Sequence, residues 1–256
     1  MLLRAIINSI ESVAPRSAQQ EWDNSGMQVG DTECDVQSVL LTTDVTLSVL
    51  DEAICLGCQL IISHHPLLFH GLKQVCGQTP QACIIEKAIL HHIAIYSAHT
   101  NLDCAEGGIN SRLADKLGIV NYRPLDEATQ LGVIGCLQTP VPYVDFIRRV
   151  YDILHPTYIR YTEPSKSIVQ TIALCGGAGS EFINAAIEQG ADVYLTADCK
   201  YHEMQESAGF IGLIDVDHWV SEHHAPEIFR DILTPLGLQC FISRQDKTPI
   251  KVFEKK

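Results

Sequence analysis

Helical and strand periodicities alternate along almost the whole chain, and that alternation constrains the fold more than any other feature. Leu3, Ile6, Ile7 and Ile10 recur at helical spacing, predicting an amphipathic helix over 2–13. Strands are expected near 37–43, 59–63, 93–98, 131–138, 157–161, 168–174, 192–196 and 211–216. Helices are expected over 46–56, 80–92, 107–117, 144–155, 180–189 and 201–208, with another from 218. Such alternation predicts an α/β fold with a mostly parallel sheet and helices on its faces. The 256 residues, 46% of them hydrophobic, suffice for one large α/β core or two smaller ones.

The pattern also occurs twice. "TLSVLDEAICLGCQLIISHHPLLF" and "GSEFINAAIEQGADVYLTADCKYHEM" each run helix, glycine (Gly57, Gly190), apolar strand, then polar groups at the strand's end. "HHIAIYSAHTNLD" and "GFIGLIDVDHWVSE" then each run apolar strand, histidine, and an acid four residues on, giving His99/Asp103 and His218/Glu222. Two βαβ units resemble each other loosely in any case, but the shared ending favours a duplication.

Charge and composition narrow the partners. With 31 acids against 18 bases the formal charge is -13, and no basic cluster exceeds a pair, which argues against direct nucleic-acid binding. No apolar run approaches the roughly 20 residues needed to span a bilayer. Arg4 and Glu11 interrupt the N-terminal apolar residues and no small-residue cleavage site follows, so the start reads as a helix, not a signal peptide, and the expected compartment is the cytoplasm. Most of the ten cysteines lie in or beside apolar stretches, and the Cys55–Cys58 CxxC has no second CxxC to complete a zinc site.

In open α/β sheets ligands bind outside the carboxyl ends of strands. This sequence places Asp44, His64 and His65, His99 and Asp103, Asp198, and His218 and Glu222 there. Imidazoles with carboxylates and no thiolate suit Zn, Fe, Mn, Co or Ni. The set exceeds what one catalytic zinc needs, which suggests two metals bridged by a carboxylate and a water. Plainer readings exist for most of these residues. His218 and Glu222 form an i, i+4 pair that a solvated helix face explains equally well. His99 fits a hydrogen-bonded strand end, Asp103 a helix cap, and His223 and His224 the wet flank of a helix. Adjacent His64 and His65 after a buried strand are the hardest to explain by packing.

"EWDNSGMQVGD" (21–31), "TTDVT" (42–46), "IISHHPLLF" (61–69), "AHTNLD" (98–103), "YLTADCKYHEM" (194–204) and "DHWVSE" (217–222) occur in that order across most of the chain. Together they closely resemble the GTP cyclohydrolase 1 type 2 homologues, also called NGG-interacting-factor-like proteins, in their short form without an inserted domain. The resemblance implies a pseudo-duplicated three-layer α/β fold of two related lobes with a metal site between them. One lobe is expected over 1–125 together with 210–256, the other over 126–209. The resemblance further implies two divalent ions held by His64, His65, Asp103, His218 and Glu222, with Glu222 bridging and His99 beside them; an imidazole there, with an ordinary pKa near neutrality, could shuttle protons. It also implies a toroidal homohexamer. Asp44 and Asp198, outside that ligand set, are expected to orient imidazoles or line the rim, and Asn24 to sit in a tight loop at the entrance.

Two functions are compatible with these residues. One is a metal-dependent hydrolase of a small nucleotide-like or phosphate- or amide-bearing substrate, with "CGGAGSE" (175–181) able to hold an anion on backbone amides. The other is a non-catalytic metal carrier or metal-stabilised interaction factor, whose acidic surface suits protein or metal partners.

Overall fold

In a computed structural model, residues 1–77 and 79–253 are described. The chain divides into two compact units, Met1–Gly108 with His223–Lys247, and Ile109–Glu222 with the chain from Thr248 onward. The first contains α1 (Leu3–Val13), β1 (Gly26–Val29), β2 (Ser38–Thr42), α2 (Leu47–Leu56), β3 (Leu60–Ser63), α3 (Pro80–Leu90), β4 (Ala94–Ser97) and α4 (Thr100–Asp103). The second follows with α5 (Ile109–Leu117), β5 (Ile119–Pro124), β6 (Val133–Pro142), α6 (Tyr143–Leu154), β7 (Arg160–Tyr161) and β8 (Ile168–Ala178). It continues through α7 (Ile183–Glu188), β9 (Val193–Ala197), α8 (Tyr201–Ser207), β10 (Gly212–Val216) and α9 (His218–Glu222). The chain then returns to the first unit for α10 (Ala225–Leu233) and β11 (Gln239–Ile242).

In the first unit the sheet order is β1-β4-β3-β2-β11, with only β1 antiparallel. Every residue of β2, β3 and β4 is buried, which a strand covered on both faces requires. Leu40, Ile61 and Ile95 pack with Val49, Leu50 and Ala53 of α2 and Ile84, Ile85 and Ala88 of α3. The opposite face lies under α10, which carries α1. The residues Leu3, Ile6, Ile7 and Ile10 are the buried stripe of α1, as their spacing predicts. Thr46 caps α2 by accepting from the Val49 amide, and Gly57, at φ 66°, takes the left-handed conformation that turns the chain into β3.

The second sheet runs β5-β6-β8-β9-β10-β7. Only β8-β9 and β9-β10 are parallel, so the expectation of a mostly parallel sheet holds for the first unit and fails for the second. The antiparallel pairings are those of β6 with β5 and with β8, the latter despite the intervening helix α6, and that of the two-residue edge strand β7 with β10. Phe146, Val150 and Leu154 of α6 and Leu113 and Leu117 of α5 cover one face, over Ile172, Leu174, Val193, Leu195 and Ile214.

The unit boundaries also differ from the lobes expected at 125/126 and 209/210. Helix α5 and strand β5 precede residue 126 but pack on and pair with the second sheet, and β10 lies past 209 but is hydrogen-bonded to β9. The duplication has a topological counterpart. β2-α2-β3-α3-β4 and β8-α7-β9-α8-β10 each place three parallel strands in sequential order, with an antiparallel strand beside the third. None of the described helices is long and apolar enough to cross a membrane.

Asp192 fastens the start of β9 to β8. Its Oδ2 accepts from the backbone amides of Gln170 (2.9 Å) and Thr171 (3.0 Å), and Oδ1 from Lys166 Nζ (2.9 Å). Burial alone would raise its pKa, but those amides and the ammonium outweigh it and hold the carboxyl below its ordinary range. A depressed folded pKa contributes stability that is complete above the unfolded value of about 4 and lost as pH falls through the folded one. Asp192→Ala is therefore expected to cost about 1–3 kcal/mol in denaturant unfolding at neutral pH. The difference from wild type should shrink below about pH 4; a loss independent of pH would contradict the ionised carboxylate as its source.

Candidate metal centre

Two adjacent histidines at the end of a buried strand are explained by what holds their backbone and their Nδ1 atoms. Ser63 and Ser97 are register partners at the last rung of β3 and β4. Their buried hydroxyls lie 2.7 Å apart, and both reach the His65 carbonyl (2.8 and 3.2 Å). Beyond this rung the His64 and His65 amides still donate to Thr42 and Thr43 (3.2 and 3.0 Å), but strand alternation has ended. The two rings are neighbours, with centroids 5.1 Å apart.

Each ring is then fixed through Nδ1. His64, completely buried, donates from Nδ1 to the Ala98 carbonyl at 2.9 Å. His65 donates to Asp44 Oδ1 at 2.8 Å and His99 to Asp23 Oδ1 at 2.8 Å. A carbonyl or ionised carboxylate can only accept, so in each neutral imidazole Nδ1 carries the proton and Nε2 the lone pair. Asp103 Oδ1 stands 3.5 Å from His64 Nε2, longer than a good hydrogen bond. Asp103 ends α4, whose turn is held by Asn101, which donates to the Ala14 carbonyl (2.8 Å) and accepts from Ser25 Oγ (2.8 Å). One ligand atom from each of His64, His65 and His99 lies within 4.8 Å of the others, a group that could hold a metal ion.

Asp23, which its place in a turn does not single out in the sequence, is the acceptor that holds His99. Its side chain is fully buried, and Oδ2 accepts from the Thr100 amide (3.1 Å), the Thr100 hydroxyl and Ser25 Oγ (3.1 Å). Burial pushes its pKa up, but the His99 hydrogen bond and charge and the Thr100 contacts prevail, holding the carboxyl far below its usual range. The signal was available: "EWDNSG" offers an acid beside Asn24. Asn24 itself reaches the Leu68 carbonyl with Nδ2 at 2.7 Å, so it ties two loops together.

In the second unit, His218 and Glu222 open and close α9 and face each other, Nε2 to Oε2 at 3.1 Å. Glu222 is only 3% exposed, so the pair is not a solvated helix face. His218 Nδ1 donates to Asp198 Oδ2 at 2.7 Å. Asp198 sits at φ 58°, a left-handed conformation that Asp tolerates better than most residues. Partial burial opposes a charge on His218, but Glu222 and Asp198 overcome it and raise its pKa to about 11. The hydrogen bond from His218 in turn lowers Asp198. A cation taking Nε2 must displace that proton.

The glycines of "CGGAGSE" serve this pair. The amides of Gly176, Gly177 and Gly179 donate to Asn110 Oδ1 (2.8 Å), Ser221 Oγ (2.9 Å) and Thr196 Oγ1 (3.0 Å). Those bonds occupy three of the amides that an anion cradle over 175–181 would use. Gly177, at φ +66°, instead leaves room: a Cβ there would lie 2.2 Å from Glu222 Oε1 and 3.2 Å from His218 Nε2. The expectation for His224 also changes. His224 is completely buried at the start of α10, not on a wet flank. His70 and His202 are exposed. Cys55 is exposed while Cys58 is buried, so the CxxC does not present a matched pair.

The donors in each unit fit a borderline divalent cation: imidazole Nε2 atoms whose Nδ1–H groups are taken, and nearly buried carboxylates. Cys104, beside Asp103, adds no thiolate, because burial raises its pKa to about 12.

A family model described as Duf34/NIF3 (NGG1p interacting factor 3) matches residues 1–249, and the chain belongs to that family. It is 33% identical over 228 residues to the GTP cyclohydrolase 1 type 2 homolog of Clostridium perfringens, covering 87% of each chain. Among solved structures it resembles a Bacillus cereus protein related to NIF3 (TM-score 0.90, 25% identity) and the Staphylococcus aureus hypothetical protein SA1388 (0.90, 26%). Each match covers 99% of both chains.

Gly177→Ala tests the space left for Glu222. The added methyl must displace the carboxylate or strain a left-handed backbone, so the variant is expected to fold with weaker divalent-cation binding, by at least about tenfold, as outer-contact losses at metal sites typically give. Titration of stripped protein with zinc reads this directly, and wild-type affinity in a folded variant would contradict the cradle.

Proposed function

We propose that the protein is a metal-dependent hydrolase of a small nucleotide-like or phosphate- or amide-bearing molecule. In this reading His64, His65, Asp103, His218 and Glu222 would hold two divalent cations, drawn from Zn, Fe, Mn, Co or Ni, with Glu222 shared between them. The observation that carries it is the common anchoring of the imidazoles: four Nδ1 atoms are fixed on acceptors, which sets the plane of each ring and the direction of its Nε2. The family and the name shared by its relatives support the reading. Asp44 and Asp198 then orient His65 and His218.

Bound cations supply Lewis acidity toward a water and toward the negative charge that develops in acyl or phosphoryl transfer. The chain's own part is proton handling. Asp23 keeps the proton of His99 on Nδ1 and would stabilise the imidazolium, so His99 Nε2 is prepared to take a proton from the nucleophile and return it to the leaving group. Asp103 and Glu222 are nearly buried, where water screens any charge poorly. A toroidal homohexamer in the cytoplasm is the proposed assembly. Sedimentation showing only monomer at micromolar concentration would contradict it.

Two substitutions separate ligand from shuttle. Glu222→Gln is expected to lose metal, read by elemental analysis, together with any hydrolysis, because a neutral amide bridges cations poorly. His99→Asn is expected to keep both metals and slow hydrolysis about a hundredfold or more. Equal metal loss in the two variants would make His99 a ligand and end the shuttle assignment. Wild-type protein that carries both metals and turns over no phosphoester, nucleotide or amide in a broad screen would favour a metal carrier or interaction factor instead.

A further inference from the structure

Beside the three imidazoles of the first unit stand two aromatic side chains that neither the core nor the proposed proton chemistry uses. Trp22 is 57% exposed and Phe69 44%. Their ring centroids are 5.8 Å apart at an interplanar angle of 58°. Each also meets the His99 ring edge-on, at 6.1 and 6.2 Å. The chain's other tryptophan, Trp219, packs against the core of the second unit. Exposure of Trp22 is therefore a property of its position.

The loops that carry these rings are cross-tied. Asn24 Nδ2 donates to the Leu68 carbonyl at 2.7 Å, the Leu68 amide donates to Gln28 Oε1 at 3.1 Å, and Gln28 Nε2 donates to the Asn24 carbonyl at 2.7 Å. Between Trp22 and Asn24, Asp23 is anchored on His99 and Thr100. Residues next to both aromatics are thus fixed, and the rings are held out over His99 while remaining open to water. Preorganised aromatic surface of this kind binds other flat rings well, because stacking orders little that is not already ordered.

We infer that Trp22 and Phe69 form a stacking platform for a planar heteroaromatic ring of purine size, which holds a ligand at the imidazole group. The inference rests on the hydrolase reading for the site that the platform serves, and it specifies the ligand class. Charge supports a ring as the anchor. With a formal charge of -13 the chain offers no general attraction to a nucleotide's phosphates. Affinity must come from bound cations and from contacts indifferent to charge. Ring stacking is such a contact, and it tolerates different bases because each presents a π face.

Equilibrium binding to the metal-loaded protein tests the platform, with GMP and AMP as probes and ribose 5-phosphate as the control without a ring. GMP and AMP are expected to bind and to quench tryptophan emission, while ribose phosphate leaves emission unchanged. Trp22→Leu and Phe69→Leu should each weaken GMP binding about tenfold or more, with metal content, sedimentation and ribose phosphate binding as in wild type. Wild-type affinity for GMP in Trp22→Leu overturns the inference. So does the absence of GMP and AMP binding by the wild type at millimolar concentration. A changed oligomeric state in either variant would make the aromatic pair a subunit contact and overturn it as well. Stacking without hydrolysis would contradict the hydrolase reading alone, whereas hydrolysis of ring-free substrates without stacking would contradict the platform alone.

Discussion

The hydrogen bond from a histidine Nδ1 to an oxygen that can only accept is the interaction on which the candidate ligand groups of both units depend. It occurs four times, to Ala98, Asp44, Asp23 and Asp198. Each bond makes Nδ1 the donor and fixes the ring plane, so that Nε2 is the atom aimed at other groups, at Glu222 in the case of His218. The rest of the fold supplies the acceptors. Ala98 is the residue after β4, Asp44 follows β2, and Asp198 follows β9, so the ends of parallel strands deliver both the rings and their partners. Asp23 alone comes from a loop, and that loop is anchored by three further contacts to Thr100 and Ser25.

The two units use one topology for unequal work. After β4 the histidine lies outside the helix, with His99 at φ -107° and ψ -109°, and Asp103 ends the short helix that follows. After β10 the helix begins at His218 itself, so His218 and Glu222 share a face and meet at 3.1 Å. At the preceding crossover the first unit places His64 and His65 where the second has Asp198. A duplicated scaffold thus carries imidazoles at one strand end and a carboxylate at the equivalent one. Gly177 completes the second arrangement by lacking the side chain that Glu222 would strike.

Much of this was legible in the sequence, and the reasons differ by element. Strands such as Leu60–Ser63 and Gly212–Val216 are short apolar runs bounded by glycine and polar residues, and no other element explains them. The candidate residues were legible because chemistry-bearing side chains at strand ends are conspicuous. What stayed hidden depends on partners distant in sequence. β11 is placed by pairing with β2, some 200 residues away, stays half-buried to exposed, and carries no strong pattern of its own. The antiparallel character of the second sheet follows from how β6 pairs, which local periodicity does not encode. Asp23 was hidden because an acid in a turn reads as a turn former until its contact with His99 is seen. The glycines of 176–179 suggested an anion cradle, since sequence does not reveal that side chains already occupy their amides.

The central claim is that these imidazoles keep Nδ1 protonated and present Nε2 to divalent cations. Nitrogen NMR of isotope-labelled histidine side chains, followed through a zinc titration of stripped protein, tests it most directly. The account predicts that His64, His65 and His218 retain protonated Nδ1 atoms throughout while their Nε2 resonances move to the range of metal-bound nitrogen. Zinc-dependent shifts at Nδ1 of these residues, or Nε2 resonances that do not respond to zinc, would contradict it.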